Sequence, residues 1–405
     1  MKPTCHECIE VKEIVKKKCM VQAALVLLLV LCFSCAAAQE AKDLTNACII
    51  SSPDKTTDKV HDGAYTSFWQ SRTNEKPHLE FQTPEGESAQ YLYICFAEMP
   101  EAWSIEEEIN GEWQTSIEGT TDYYHVLVAL NGKNHFRLVG ISEKKSYLKL
   151  NEVFVFSDGE LPDWVQQWEA PLDKADLLAL AAHPDDELLF LGGTIPYYAG
   201  EMGRKVQVAY LVPTMPYRRL ELLDGLWLCG VKNYPMIGHF PDKYQLTLKG
   251  MYAQKGWSRE SVYRFVAETY RACRPDVVVT QDVNGEYGHG AHRAAADAAQ
   301  AAIALAADEN DQEKMTHSEP WQVKKLYLHL YEQNPVKMDW RKPLAAFGGQ
   351  TAFDLASRAF ECHISQQRTD YHVEDFGPYD NSKFGLAYSA VGEDVQKDDF
   401  FENLE

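Results

Sequence analysis

Leu178–Gly193 reads LALAAHPDDELLFLGG. The apolar run Leu177–Ala182 has the character of a strand buried on both faces, as in a parallel sheet. Pro184 cannot extend a ladder and pre-sets φ for a turn or a helix start. Leu188–Leu191 then begins an apolar face, predicting a helix over Leu188–Met202 with Gly203 at its end. His183, Asp185, Asp186 and Glu187 therefore fall just past the carboxyl end of a central strand, where open α/β sheets place ligands. Standing alone, HPDDE reads as a capped helix start, since acids in the first turn complement the macrodipole.

A second polar cluster changes that reading. Val277–Thr280 is another β-branched run, and it empties into Gln281–His292, QDVNGEYGHGAH. His183 and Asp186 are three residues apart, as are His289 and His292, so each pair can aim at one ion. Two imidazoles and one carboxylate leave a fourth position for water, the arrangement of a catalytic rather than a structural zinc site. A neighbouring carboxylate can act as base, and a spare His can stabilise an oxyanion. Asp282, Asn284 and Glu286 imitate the first ligands of an EF-hand, but the loop lacks Gly at the sixth place and Glu at the twelfth.

AHPDDE followed by a distant HxxH resembles the PIG-L or LmbE-like zinc-dependent de-N-acetylases, whose members act on glucosaminyl-phosphatidylinositol, mycothiol and bacillithiol precursors. The resemblance covers about Ala175–Leu330 and includes the YRxxEL segment Tyr217–Leu222. It implies a Rossmann-like, mostly parallel α/β fold, with His183, Asp186 and His292 as metal ligands and Asp185 as general base. His289 would stabilise the oxyanion or protonate the leaving amine, and Tyr287 would assist at the carbonyl. Arg218 and Asp242, the latter in FPD, would contact substrate. Zinc is the implied metal, although two His and one Asp suit ferrous iron or another divalent ion as well.

Outward from this region the chain alternates as α/β units do. Strands are expected at Val206–Val212, Tyr234–Ile237, Asp276–Thr280 and Lys324–Leu330. Helices are expected at Leu220–Leu228, Arg259–Cys273 with Ser258 near its N-cap, Arg293–Ala307 and Thr351–Gln366. The aromatic, acidic end Phe384–Leu404 is expected to fold back over this domain, taken as 176–405. Residues 45–158 differ: short alternating segments separated by turns such as Asn110-Gly111 and Asn131-Gly132 predict an all-β sandwich. Asp62–Trp69 with the closing Leu148–Phe156 strand resembles a discoidin or galactose-binding-like jelly roll. Trp69, Trp103 and Trp113 are candidates for stacking on a sugar, each also readable as core. Residues 159–175 read as a linker.

Before Gln39, Lys16–Lys18, the apolar run Met20–Leu31 and the small residues Cys35–Ala38 read as a signal peptide over 1–38. An uncleaved anchor or a lipoprotein joined through Cys35 is the alternative, and each places the protein in a secreted or extracytoplasmic setting. The 405-residue chain has 39 basic and 60 acidic residues, a net charge of −21. That balance, without basic clustering, argues against a nucleic-acid partner. Five of its ten Cys precede Gln39, and the other five are odd in number and widely spaced, which is no disulfide framework. Cys48–Cys95 is left open.

Together these readings predict a hydrolase that removes acetyl from an N-acetylglucosamine-type amino sugar on an extracytoplasmic glycan, glycolipid or glycoconjugate. Two alternatives stand beside it: an amidase for a bulkier acyl group, and a non-catalytic carbohydrate-binding protein on the same scaffold.

Overall fold

The computed structural model describes residues 39–404 apart from 54, 73–75, 121, 142–146, 214, 311–315, 317–318 and 368–369. The leader, with its charged and apolar runs and its five Cys, lies outside the described residues. No helix among the described residues is long and apolar enough to cross a membrane.

The first part is built from nine strands: β1 (Ile49–Ser51), β2 (Trp69–Gln70), β3 (His78–Gln82), β4 (Ala89–Glu98), β5 (Ala102–Ile109), β6 (Glu112–Thr120), β7 (His125–Lys133), β8 (His135–Ile141) and β9 (Lys149–Phe156). They form a five-stranded sheet, β1-β3-β8-β5-β6, and a four-stranded sheet, β2-β9-β4-β7. Every pairing in the two sheets is antiparallel. Leu79, Phe81, Phe96, Ile105, Phe136 and Val153 share one buried core between them. Asn110 and Asn131 take positive φ at the two turns read from Asn-Gly. Trp69 and Trp103 are core residues, 2% and 6% exposed, so neither offers a face to a ligand. The Arg137 guanidinium lies 4.3 Å from the centre of the Trp113 ring. Cys48 and Cys95 are free thiols.

The second part is an α/β unit. Its elements are β10 (Leu177–Ala181), α1 (Asp186–Leu189), β11 (Val206–Tyr210), α2 (Pro216–Leu228), β12 (Met236–Ile237), α3 (Leu248–Tyr252), α4 (Arg259–Cys273), β13 (Val277–Thr280), α5 (Gly290–Ala307), β14 (Lys325–His329), β15 (Pro335–Lys337), α6 (Ala352–Glu361) and β16 (Lys383–Ser389). The sheet order is β12-β11-β10-β13-β14-β16-β15. The first five strands are parallel, and β16 runs antiparallel between β14 and β15. From β10 the chain moves outward through β11 to β12, then returns to the other side of β10 for β13. The crevice past the carboxyl ends of β10 and β13 is therefore the topological switch point of the sheet.

One expectation is corrected and two are filled in. The helix predicted over Leu188–Met202 is broken: α1 ends at Leu189, and Pro196–Glu201 forms a separate π-helical turn. Gly192 has φ +57°, and a Cβ on Gly193 would stand 2.7 Å from Ala352 and Trp340. The close approach of α6 and its preceding loop therefore requires the Gly-Gly break. The chain end does not simply lie over the domain, because β16 enters the sheet and Phe400 stacks on Tyr198. The stretch 159–175, read as a linker, is packed: Val165 and Trp168 are buried, and Glu169 bridges Asn233. The predicted helix Thr351–Gln366 is α6, capped by a Thr351–Asp354 box, followed by a 3-10 turn at Ile364–Gln366.

Candidate metal centre at the strand ends

The loop after β10 delivers three side chains into the crevice. Asp186 Oδ2 accepts a 2.8 Å hydrogen bond from the His183 backbone and lies 3.0 Å from His183 Nδ1. The same oxygen is 3.3 Å from His292 Nε2. A tetrahedral ion with bonds of about 2.0–2.1 Å has ligand–ligand edges of roughly 3.3 Å. Both edges from Asp186 are of that length, and the donor chemistry, two imidazoles and one carboxylate, suits zinc. His183, His289 and His292 also converge, with ligand atoms all within 4.8 Å of one another. His289 Nδ1 is buried without a hydrogen-bond partner among the described residues.

Two local features hold this arrangement. Asp185 has φ +107°, a strained conformation for a residue with a side chain. Its N–H donates to Glu187 Oε2 at 3.0 Å, and Arg218 Nη2 donates to Pro184 O at 2.7 Å and to Asp185 Oδ2 at 3.2 Å. Arg218 comes from α2, so the YRxxEL segment clasps the AHPDDE loop; Glu221 of that segment accepts from the Ser365 backbone and hydroxyl at 2.8 and 2.6 Å. On the other side, α5 begins at Gly290 with His289 at its N-cap position, which puts His292 in the first turn rather than ahead of the helix.

Sequence reading missed the residue that aims His292. Glu286 is fully buried, and its Oε2 accepts from His292 Nδ1 at 2.8 Å while its Oε1 accepts from His329 Nδ1 at 2.6 Å. A carboxylate on the remote nitrogen sets tautomer and ring orientation for a ligand. Despite the cost of burial, the two imidazoles hold the Glu286 carboxyl well below the usual range. His329 was legible in principle, as the last residue of the strand beside β13.

The electrostatics separate the two aspartates. Burial and the adjacent Asp186 charge push the Asp185 carboxyl up, partly offset by Arg218. Asp186 is also buried, yet His292 and His183 pull it down. Burial, then the neighbouring His183 and His292, lowers His289 to about 3 and leaves it neutral. Burial and Asp185 raise Glu187 to about 8.

The remaining predicted residues border a cleft of about 160 Å³, lined by Arg218, Asp242, Tyr287, His289 and, from the C-terminal part, Gln366 and Tyr371. Tyr287 has φ +44°, and its hydroxyl is 3.4 Å from His292 Nε2. Asp242 is largely exposed at the mouth, with Oδ1 3.9 Å from His183 Nε2. Arg218 is occupied with the Pro184–Asp185 turn, so its first observed task is to hold that turn. Gln366 and Tyr371 carry no motif, and only their tertiary position reveals them.

Fold and crevice define an α/β protein with a His/Asp donor set at the switch point of a parallel sheet. Residues 178–303 match the family described as GlcNAc-PI de-N-acetylase, PIG-L, and the chain carries a domain of that family. A 1D-myo-inositol 2-acetamido-2-deoxy-alpha-D-glucopyranoside deacetylase of Kineococcus radiotolerans is 29% identical over 46% of this chain and 61% of its own length. One of Streptomyces scabiei is 30% identical over 37% of this chain and 54% of its own. The chain thus spans less than two thirds of either relative. A conserved protein from Thermus thermophilus is similar at 25% identity, TM-score 0.36, over 47% of this chain and 80% of that one.

Proposed function

We propose that this protein is a metal-dependent hydrolase that removes the N-acetyl group from an N-acetylglucosamine-type amino sugar on an extracytoplasmic glycan, glycolipid or glycoconjugate. The carrying observation is that His183 Nδ1 and His292 Nε2 meet one oxygen of Asp186 at 3.0 and 3.3 Å, beside a second, strained carboxylate at Asp185. The relatives' names support the reaction and the sugar. The secretory reading of residues 1–38 supports the location.

His183, Asp186 and His292 would hold a zinc ion, or another divalent metal, which when bound supplies a Lewis acid and lowers the pKa of water. Asp185 is the general base: it takes a proton from the attacking water, and burial has already raised its proton affinity toward that task. Arg218 orients Asp185 through Oδ2. Neutral His289 and the Tyr287 hydroxyl border the same space and donate hydrogen bonds to the developing oxyanion. Asp185, once protonated, can return its proton to the leaving amine. Asp242 at the mouth is placed to accept from a sugar hydroxyl. The cleft is smaller than the roughly 300–1,000 Å³ of pockets that enclose a ligand, so it takes the acetamido end while the rest of the substrate extends outside.

We also infer the division into a galactose-binding-like sandwich, 45–158, and a deacetylase domain, 176–405. The test is carboxylic-acid release by metal-reconstituted protein from a panel of N-acetylglucosaminyl compounds and their bulkier N-acyl analogues. Acetate release from at least one, lost in Asp185→Asn, supports the reading. Release only from bulkier N-acyl compounds would favour the amidase alternative, and release from none would favour the sugar-binding one.

A further inference from the structure

We propose that the cleft between the β-sandwich and the α/β domain is a second ligand site, one that takes the ring of a neutral sugar. The cleft encloses about 780 Å³, within the range of ligand-binding clefts. It draws its walls from both parts of the chain and shares no lining residue with the metal-donor cleft.

Trp164 is the platform. It meets Tyr93, Phe154 and Phe156 at centroid distances of 5.8, 4.8 and 5.8 Å, yet the residue is 46% exposed. Trp227 of α2 supplies a second indole in the same cleft. A half-exposed indole lining a concave cleft gives a ligand apolar surface to cover. Polar groups stand at its rim. Asp224, also on α2, accepts from Gln166 Nε2 at 2.5 Å and from the Tyr65 hydroxyl. A carboxylate has about four lone-pair directions, so capacity remains for hydroxyl donors. Behind it, His125 Nε2 is buried with no hydrogen-bond partner among the described residues and points at Asp224 Oδ1 from 4.0 Å. Arg358 and Gln350, bonded to each other at 2.8 Å, also line the cleft and contribute donors.

An open indole with acceptors and donors around it matches a pyranose, which has an apolar C–H face and a ring of hydroxyls. The lining carries two carboxylates, Asp163 and Asp224, and two cations, Arg358 and Lys232, the Lys232 ammonium sitting 3.2 Å from the centre of the Trp227 ring. With both signs present the cleft has no strong preference for an anionic glycan, and a neutral sugar is the fitting occupant. The site exists only because the sandwich docks on α2: Leu220 packs in one buried cluster with Tyr93, Cys95, Phe156 and Val165. This assignment does not depend on the proposed hydrolysis.

The test titrates the full chain, carrying Asp185→Asn to stop turnover, with galactose, N-acetylglucosamine and N,N′-diacetylchitobiose. Saturation-transfer NMR and intrinsic tryptophan fluorescence read the binding. At least one sugar should bind, and Trp164→Ala should weaken it roughly tenfold or more, the scale of losing an aromatic anchor. Arg358→Ala, an exposed change that leaves the fold intact, should weaken the same binding several-fold. In the chain with Asp185 intact, neither change should lower acetate release from a small soluble substrate more than about twofold, since neither residue borders the metal donors. Affinities unchanged in both variants, or no binding of any of the three sugars at tens of millimolar, would overturn the assignment.

Discussion

Glu286 Oε2 accepts a 2.8 Å hydrogen bond from His292 Nδ1, and that contact turns the opposite nitrogen, Nε2, toward Asp186 at 3.3 Å. The same carboxylate is pinned by His329 at 2.6 Å and by the Asp282 backbone N–H at 3.1 Å. His292 is therefore held by a buried network anchored on β14 and on the loop that follows β13.

Glu286→Gln should lower metal affinity by roughly 10–100-fold, the usual cost of losing an outer partner of a ligating His. Competition with a fluorescent chelator measures it. Unchanged affinity would mean that His292 keeps its orientation without the carboxylate.

Asp185 and Asp186 should separate cleanly. Asp185→Asn can still accept from Arg218 but cannot take a proton, so metal binding should persist while the rate falls by roughly a hundredfold or more. Asp186→Asn should lose metal affinity, and excess zinc should partly restore its activity. Metal content and acetate release, measured on both variants, distinguish the two roles.

Arg218→Lys should lower kcat more than it raises KM. A lysine puts a compact, strongly hydrated ammonium on a different stem in place of the planar guanidinium, whose Nη2 alone bridges Pro184 O and Asp185 Oδ2. A change confined to KM would instead make Arg218 a substrate contact.

Gly193→Ala places a methyl 2.7 Å from Ala352 and Trp340. Overpacking of this kind costs about 1–3 kcal/mol, so thermal unfolding should move down by several degrees. An unshifted midpoint would show that α6 can retreat without loss.

Much of this was legible beforehand because periodicity and chemistry coincided. The buried run before His183, the β-branched run before Gln281 and the residues at their ends place the site at a strand terminus without any knowledge of the contacts. Helix α4 runs over Arg259–Cys273 as read, because Ser258 caps it through Ser261 N and an apolar stripe follows. Reading failed where tertiary packing overrode local pattern. Leu188–Leu191 looks helical, but the approach of Trp340 and Ala352 forces a break at Gly192-Gly193. Glu286 looked like a spurious calcium ligand because its partners, His292 and His329, are 6 and 43 residues away. Trp69 and Trp103 belong to the sandwich core, the alternative to sugar stacking that their alternating strands already offered.

The central claim is that the His183–Asp186–His292 set makes this protein a metal-dependent deacetylase. It is tested most directly by following acetate release from an N-acetylglucosaminyl substrate through chelation and zinc re-addition, with His292→Ala in parallel. Activity that disappears on chelation and returns with about one equivalent of zinc, but not in His292→Ala, is the predicted result. Acetate release that survives complete metal removal, or that His292→Ala retains in full, would contradict the account.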